Sequence, residues 1–501
     1  MLKKIALALI IVLLSVQPST SAVKSGEQCS KIGATTKSKK ITYTCTQLGK
    51  KKVWTILKPA SPKPSPSVTP VAEKLIVKKS PKPLEVCRIP DQSPTQLRKR
   101  GPSIAYPVPT GEIYAHIPTQ GPIKIAIIPI DFPDVVGSQP PQNIYADDVK
   151  QIDEWMKWYS GGKSFYEWQL GTNWIRAPRP SFDYVPLDSP QFDRGNPLTG
   201  ARVGRSINSV QIADEFYTLA EKEFNLENLH AVLFIYPKEV IHIWDLIVRN
   251  GAIQGIGHPA KGPDFFEVKV IEPRLLKTWI MATGAFMYRN NFPLWSWVVH
   301  EVLHNQGLQG HAPNQGSPMG IMTNQWGGSF ALNAWDTTIL DWQRQDDVYC
   351  LEKDDLKIGH EIQLVPLEME QVGNKSVMIK LSNSQVLVVE SHRKDKWSSS
   401  FKGFGGLPMN FRGVMVYKVD TTKEPLYGIE EPDGDKWIDG SEAFAYYIRN
   451  NKVKHGVMNF QYGRLDLNFV MYAGESLVTN GVRISFVESK TYDRLEITLN
   501  S

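Results

Sequence analysis

The sequence predicts a mixed α/β domain followed by a mostly β C-terminal domain, with a small basic module on a proline-rich linker in front of them. Of the 501 residues, 42% are hydrophobic and 22% are charged, values that exclude a mainly disordered or collagen-like chain. Within residues 123–286, apolar runs of strand character alternate with segments of helical periodicity. After Cys350 the pattern changes to short apolar runs separated by turn residues, which is typical of β domains.

The first 22 residues have the pattern of a secretory signal peptide. Two lysines precede the apolar run Ile5–Val16, and small residues follow up to Ala22, where we expect cleavage. The apolar run is shorter than the roughly 20 residues that span a bilayer, so a retained membrane anchor is the less favoured alternative. We therefore expect a secreted mature chain without a transmembrane segment.

The positive charge is concentrated near the N-terminus. Residues 23–83 contain fourteen lysines and two acidic residues, a charge of +12. The whole chain carries +6, of which the lysines of the signal peptide supply +2, so residues 84–501 carry −8. A basic module on an acidic body suggests attachment to an anionic cell-surface polymer or lipid surface, although the lysines could equally serve solubility alone. Nucleic acid is disfavoured as the partner of a secreted chain.

Composition divides the chain into five segments. Cys29 and Cys45 lie in a polar stretch too small for a core of its own, so we expect them to form a disulfide. Seven prolines between residues 59 and 83 indicate an extended linker. The segments are the signal peptide at 1–22, the two-cysteine module at 23–57, the linker at 58–86, the α/β domain at 87–350 and the β-rich domain at 351–501.

Periodicity places the main elements. Ile123–Ile130 is a continuous apolar run and predicts a buried strand. Asp147 or Asp148 is expected to cap a helix that continues to Tyr159, and Ser206–Phe224 repeats apolar residues at helical spacing. Further strands are expected at His230–Tyr236, Thr278–Phe286, Ser376–Leu381, Val386–Glu390, Gly413–Val419 and Val482–Val487.

Residues 300–311 carry the strongest chemical signal, since they read His-Glu-Val-Leu-His-Asn-Gln-Gly-Leu-Gln-Gly-His. Pro293 and the apolar residues after it predict a helix that contains His300 and His304. Residues four apart lie on one face of a helix, so both imidazoles can reach one metal ion. The adjacent Glu301 can then reach a water molecule on that ion.

The residues after the second histidine offer a third ligand. Gly307 can take the left-handed conformation that ends a helix, after which the chain can turn back and present His311. Three protein ligands and one water are typical of catalytic zinc, whereas structural zinc normally has four protein ligands, usually including cysteine. The sequence therefore favours a hydrolytic zinc site, with His258 as a substitute third ligand. The histidines expected to be ordinary core or surface residues are His116, His230, His242, His360, His392 and His455.

The motif resembles that of the metzincin zinc peptidases, and its surroundings resemble the immune inhibitor A-like branch of that family. The resemblance extends over residues 120–490 and implies a zinc endopeptidase whose metal is held by His300, His304 and His311. It also implies that Glu301 is the general base that activates a water molecule. The segments that support the resemblance are Ile125–Asp134, Tyr159–Ser164, Leu332–Trp342, Val386–Glu390, Gly413–Tyr417 and Gly474–Ser476.

Three features depart from the metzincin pattern. The third ligand normally follows the first histidine by ten residues, which here is Gly310, and His311 comes one residue later. Met322 is the expected methionine beneath the zinc, in preference to Met319, but it lies unusually close behind the third ligand. Either methionine could simply fill a gap in the core. The calcium-rich aspartate loop of many relatives is absent. Aspartates that could bind calcium in the C-terminal domain, or form only a solvated turn, are Asp433, Asp435 and Asp439.

Two further alternatives stay open at this point. We expect Cys87 and Cys350 to form a disulfide across the α/β domain, but Cys87 also resembles the inhibitory cysteine of some metalloprotease propeptides. The alternative function is a secreted surface-binding protein whose metzincin-like domain is inactive. The displaced His311 favours that alternative, whereas Glu301 argues against it because a binding site needs no base there.

Overall fold

The computed structural model describes residues 24–38, 41–56, 74–90, 117–185, 209–243, 245–249, 252–253, 278–284, 287–288, 292–308, 320–322, 329–397, 411–422, 443–449, 452–456 and 470–500. Several predictions fall outside these ranges: the signal peptide, His258, His311, Met319, Asp433, Asp435 and Asp439. No helix in the described ranges is long and apolar enough to cross a membrane. The chain divides into two units, residues 1–72 and residues 73–501.

The described part of the first unit is a small antiparallel sheet with a disulfide. Its strands, in the order β1-β2-β3, are β1 (Thr35–Ser38), β2 (Ile41–Leu48) and β3 (Lys51–Ile56). The predicted disulfide between Cys29 and Cys45 is present. Because Tyr43 and Cys45 are its only buried apolar residues within the described ranges, the disulfide replaces the core that so short a sheet lacks.

The second unit begins with a mixed sheet. Its described strands are β4 (Gly121–Asp131), β5 (Ser164–Leu170), β6 (Ile175–Arg176), β7 (Ala231–Ile235), β8 (Leu246–Arg249), β9 (Ala252–Ile253) and β10 (Trp279–Ala282). They lie in the order β5-β4-β7-β10-β8-β9, with β6 beside β4. Strands β5, β4, β7 and β10 are parallel, whereas β8 and β9 run antiparallel to their neighbours. Strand β4 is buried along most of its length, as its apolar run predicts.

The α-helices of this unit with complete bounds are α1 (Leu84–Cys87), α2 (Gln142–Ser160), α3 (Ser209–Ala220), α4 (Leu294–Asn305) and α5 (Ala334–Ile339), and the described residues 287–288 are also helical. The predicted start of α2 at Asp147 or Asp148 is wrong, because the helix begins directly after Pro141 and reaches Gly161, whose φ of 62° ends it. Asp148 does not cap its own helix. It accepts a hydrogen bond from the start of α4 instead.

Two further sheets form the C-terminal region, which is mostly β as expected. The described strands of the first are β11 (Val348–Glu352), β13 (Ser376–Lys380), β14 (Gln385–Arg393), β15 (Arg412–Asp420), β16 (Ala443–Arg449), β17 (Lys452–Gly456) and β18 (Val470–Met471). Those of the second are β12 (His360–Leu364), β19 (Ser476–Thr479), β20 (Val482–Ser489) and β21 (Asp493–Leu499). Apolar residues of both sheets, including Val377, Val389, Ile362 and Ile484, share one buried cluster, so the sheets pack face to face.

A disulfide joins α1 to β11. Cys87 and Cys350 are bonded, so the alternative of an inhibitory thiolate at Cys87 is wrong for this structure. The residues before α1 also contact the C-terminal strands: the Ile76 N–H donates to Gln363 Oε1 at 2.7 Å, and the Lys78 N–H to Asn374 Oδ1 at 3.2 Å. The last part of the predicted linker therefore lies in the second unit.

Candidate metal centre

Helix α4 carries the His-Glu motif and is fixed at its start by another helix. Pro293 precedes the helix in an extended conformation and has no side-chain oxygen that could bind the first N–H groups. Asp148 of α2 supplies one instead, since its Oδ1 accepts a hydrogen bond from the Trp295 N–H at 3.0 Å. Burial raises the pKa of Asp148 to about 6, although this hydrogen bond lowers it. Helix α4, which carries the motif, is therefore hydrogen-bonded to α2.

The end of α4 follows the predicted geometry. Gly307 has a φ of 106°, a value that side-chain-bearing residues rarely adopt. The turn is closed by the Gln306 N–H, which donates to the Val302 carbonyl at 2.9 Å, and the Leu308 N–H, which donates to the Leu303 carbonyl at 3.1 Å. The chain therefore turns sharply at the end of α4, which places the Leu308 carbonyl beside His304.

His300 and His304 face each other on α4. Their Nε2 atoms are 3.0 Å apart, and their ring planes are nearly perpendicular, at 89°. His300 is only 3% exposed, whereas His304 is half-buried and lies nearer the surface. The spacing of four residues has therefore brought the two rings together as the sequence predicts.

The other ring nitrogens of the pair are bound by carbonyl groups. His300 Nδ1 lies 2.9 Å from the Ile321 oxygen, and His304 Nδ1 lies 3.1 Å from the Leu308 oxygen. Because a carbonyl can only accept, both Nδ1 atoms must carry a proton. In the neutral rings each Nε2 then presents a lone pair toward the other. Two lone pairs at 3.0 Å repel unless a proton or a metal ion lies between them.

This arrangement fits two ligands of a zinc ion. Nitrogen ligands about 2.0–2.1 Å from a tetrahedral zinc lie about 3.3 Å from each other, close to the separation seen here. Carbonyl acceptors on Nδ1 are also the usual way in which a protein orients metal-binding imidazoles. In the described ranges, no group of three or more His, Cys, Asp or Glu side chains is placed to hold a metal ion. The third predicted ligand, His311, lies outside them.

Glu301 follows the first histidine and is half-buried. Burial raises the pKa of its carboxyl group to about 8, and the negative charge of Asp245 contributes in the same direction. Asp245 directly precedes β8 and is itself buried. Sequence analysis missed Asp245, since a single aspartate before an apolar strand forms no motif, and only the fold brings it near α4.

Met322 lies next to the carbonyl that orients His300. It is 2% exposed and packs in the same apolar cluster as Val302 and Leu303. Its position as the methionine beneath a metal stays a prediction, and its packing agrees equally with gap filling in the core.

The other described histidines have partners elsewhere. His230 Nδ1 accepts a hydrogen bond from the Lys124 N–H at 2.9 Å, and His360 Nδ1 lies 3.1 Å from the Tyr349 hydroxyl. His242 Nε2 lies 2.8 Å from Ser181 Oγ, and His392 lies between two buried carboxylates. That they are ordinary core or surface histidines stays a prediction, and the two carboxylates around His392 were not foreseen.

No protein-family model matches the chain, and no curated protein is similar to it in sequence. What the chain does must therefore be argued from the geometry of its own residues.

Proposed function

We propose that this protein is a secreted zinc-dependent endopeptidase with a metzincin-like domain related to the immune inhibitor A-like branch. One observation carries the proposal: His300 and His304 present their Nε2 atoms 3.0 Å apart, with both Nδ1 atoms held by carbonyl groups. A pair of zinc ligands uses this arrangement, because carbonyl groups on both Nδ1 atoms leave the Nε2 lone pairs for the ion. The fixed rings lose little conformational freedom when they bind an ion.

In this proposal His300, His304 and His311 hold the zinc. When bound, zinc supplies Lewis acidity, which polarises the peptide carbonyl and makes a water molecule more acidic. Glu301 takes the proton from the attacking water on its carboxylate and returns it to the leaving amine.

The direct test uses four variants of the full chain. We expect about one zinc per chain in the wild type, loss of zinc in His304→Ala and His311→Ala, and an unchanged content in His360→Ala, a control outside the site. Glu301→Gln should keep its zinc and lose casein or gelatin cleavage by at least about 100-fold. Equal cleavage by Glu301→Gln would refute the mechanism.

The same measurements address the alternative of a secreted surface-binding protein with an inactive domain. The displacement of His311 by one residue from the family spacing favours that alternative. A wild-type chain that binds zinc but cleaves no protein substrate under any condition would establish it. Retention of zinc in His311→Ala with intact cleavage would instead move the third ligand to another residue such as His258.

We further propose that the basic N-terminal module attaches the enzyme to an anionic cell-surface polymer, without a nucleic-acid partner. Two disulfides and the signal-like N-terminus support export to an oxidising compartment. Lys50, Lys51 and Lys52 are consecutive and exposed where β2 meets β3. Replacing these three lysines by Gln should weaken sedimentation with an anionic polymer in low salt, whereas Glu27→Gln should not. Equal sedimentation of both variants would exclude the attachment role.

A further inference from the structure

A buried cluster of charged side chains, formed by Glu368, Glu390 and His392, lies in the C-terminal region. His392 of β14 has its Nδ1 2.8 Å from Glu368 Oε1 and its Nε2 2.9 Å from Glu390 Oε1. All three side chains are at most 1% exposed. Because both ring nitrogens face carboxylate oxygens, both must carry protons, and His392 is an imidazolium ion between two carboxylates. We call these residues the His392 cluster.

The charged state of His392 agrees with its surroundings. Burial alone would lower the pKa of His392, but the charge of Glu368 and the hydrogen bonds to Glu368 and Glu390 raise it to about 10. The cluster therefore stays charged over the whole neutral range, and it behaves as a fixed structural element.

The second oxygen of each carboxylate is also bound. Glu368 Oε2 accepts from the Arg393 N–H at 2.8 Å. Glu390 Oε2 accepts from the Ala334 N–H at 2.8 Å and from the Tyr417 hydroxyl at 3.0 Å. A network in which every member has a partner has one favoured geometry, so the positions of its oxygens are defined.

From this cluster a serine reaches the segment before α5. Ser329 Oγ donates to Glu368 Oε1 at 2.6 Å and accepts from the Ala331 N–H at 3.1 Å. The next residue, Phe330, donates its N–H to Asp395, and its carbonyl accepts from Trp155 Nε1 at 2.8 Å. Residues 329–331 are thus held on both sides by side chains, including those of the C-terminal region.

The same residues hold the backbone that orients His300. The Gly320 N–H donates to the Ser329 carbonyl at 3.2 Å, and the Ile321 N–H donates to the Ala331 carbonyl at 2.8 Å. The Ile321 carbonyl in turn accepts the His300 Nδ1 proton. Glu368 is therefore connected to the ring of His300 through Ser329, the backbone of residues 329–331 and the backbone of residues 320–321.

Gly320 leaves this connection little freedom. Its φ is 101°, and a Cβ atom placed on it would lie 2.3 Å from Asn333 Oδ1. A side chain at residue 320 would therefore collide with Asn333 unless Asn333 moved.

We propose that the His392 cluster positions His300, through Ser329 and the Ile321 carbonyl, and thereby sets the affinity of the motif for its metal. The proposal rests on the proposed function, because it concerns the same ligand. Glu368, His392 and Glu390 are positioning residues in this scheme, since none of them touches the ring that they orient. The C-terminal β region then influences the metal site indirectly, through the backbone that orients His300.

The test compares Glu368→Gln and Ser329→Ala with Asp493→Asn in the full chain. Asp493 is an equally buried carboxylate of the same region, but Arg393 and Ser391 bind it rather than Ser329. We expect Glu368→Gln and Ser329→Ala to weaken zinc binding about tenfold, as changes behind metal ligands do. Ser329→Thr keeps the hydroxyl group and should restore most of the affinity. Asp493→Asn should lower the melting temperature and leave the zinc Kd within twofold.

A second readout does not depend on zinc. Nitrogen-15 NMR of labelled histidines in the metal-free chain, with the His300 signals assigned from His300→Gln, reports which ring nitrogen carries the proton. We expect a single Nδ1-protonated form in the wild type and in Asp493→Asn, and a mixture of forms in Glu368→Gln and Ser329→Ala. Altered His300 signals in a chain that binds no zinc would refute the proposed function and retain the positioning role.

The opposite result overturns the inference alone. If the wild type binds zinc while Glu368→Gln and Ser329→Ala change neither the Kd nor the His300 signals, the cluster serves stability only. The same conclusion follows if all three variants weaken zinc binding equally, because general loosening would then explain the effect.

Discussion

His300 and His392 are both buried histidines, yet their neighbours favour a neutral ring in the first and a positively charged ring in the second. Carboxylates face both ring nitrogens of His392, which holds two protons and a positive charge. A carbonyl faces one nitrogen of His300 and another imidazole faces the second, which favours a neutral ring with a lone pair available for a metal. The comparison teaches that burial alone does not decide the chemistry of a histidine. The atoms that its two nitrogens meet decide it.

The largest expected effect comes from removing the cation between the two carboxylates. His392→Ala leaves Glu368 and Glu390 buried without their counter-ion, which should lower the free energy of unfolding by about 3–5 kcal/mol. His300→Ala in the metal-free chain leaves a cavity and an unpaired carbonyl but no unpaired charge, and it should cost about 2 kcal/mol. Urea denaturation of both variants measures the difference. Equal losses would show that the charge assigned to His392 is wrong.

The connection between the two histidines can be broken at Gly320. In Gly320→Ala the new methyl group meets Asn333 and the backbone is strained, which together should cost about 3 kcal/mol and weaken zinc binding. Gly474→Ala is the matched control, because Gly474 has a similar φ of 91° but open space around its Cα. It should cost about 1 kcal/mol and leave zinc binding unchanged. Denaturation and zinc titration of both variants separate the clash from the strain.

Asp148 extends the comparison to carboxylates. Like Glu390, it accepts an N–H at the start of a helix, but Lys238 is its only cation among the groups that shift its pKa. Its pKa is about 6 when folded and near 3.8 when unfolded. Between these values Asp148 holds a proton in the folded chain and has lost it in the unfolded chain, so its contribution to stability falls as pH rises from about 4 to 6 and is nearly constant above.

Stability of Asp148→Asn as a function of pH checks this sign. The variant should remove up to about 2 kcal/mol of pH dependence between pH 4 and 6. Asp147→Asn, an exposed neighbour, should keep most of it. If the wild type gains stability relative to Asp148→Asn as pH rises through that window, Asp148 is better stabilised as an anion than its surroundings indicate.

The smallest effect on stability is expected for a solvent-exposed ion pair. Lys357 and Asp354 lie 3.2 Å apart, with side chains 69% and 90% exposed. Lys357→Gln should change the free energy of unfolding by no more than about 0.5 kcal/mol, because solvent screens the pair. A loss comparable to that of His392→Ala in the same urea series would remove the distinction between buried and exposed pairs.

The sequence predicted those features that depend on local pattern. The apolar run of β4, the helix after Pro293, the positive φ of Gly307 and the pairing of the four cysteines all agree with expectation. The start of α2 did not, because Pro141 already supplies a suitable first turn and Asp148 is used by a different helix.

Local sequence pattern could not predict the His392 cluster, for a physical reason. Glu368 precedes β13 whereas Glu390 and His392 lie on β14, so their contact depends on how the chain returns between the strands. The alternation Glu390-Ser-His392 within an apolar strand was the available signal, since two polar side chains two residues apart point to the same face. Asp245 likewise comes near Glu301 only because the strand after it, β8, joins the mixed sheet of the second unit. The identity of the third metal ligand stays a prediction.

The bond between Cys87 and Cys350 has a consequence for how damage to this molecule would be seen. A single backbone cut at any exposed point between these two residues produces two fragments that remain one covalent species. Such a nicked protein migrates as intact chain on a denaturing gel until a reductant is added, and it then separates into two bands. Backbone cleavage in a purified sample must therefore be assayed under reducing conditions.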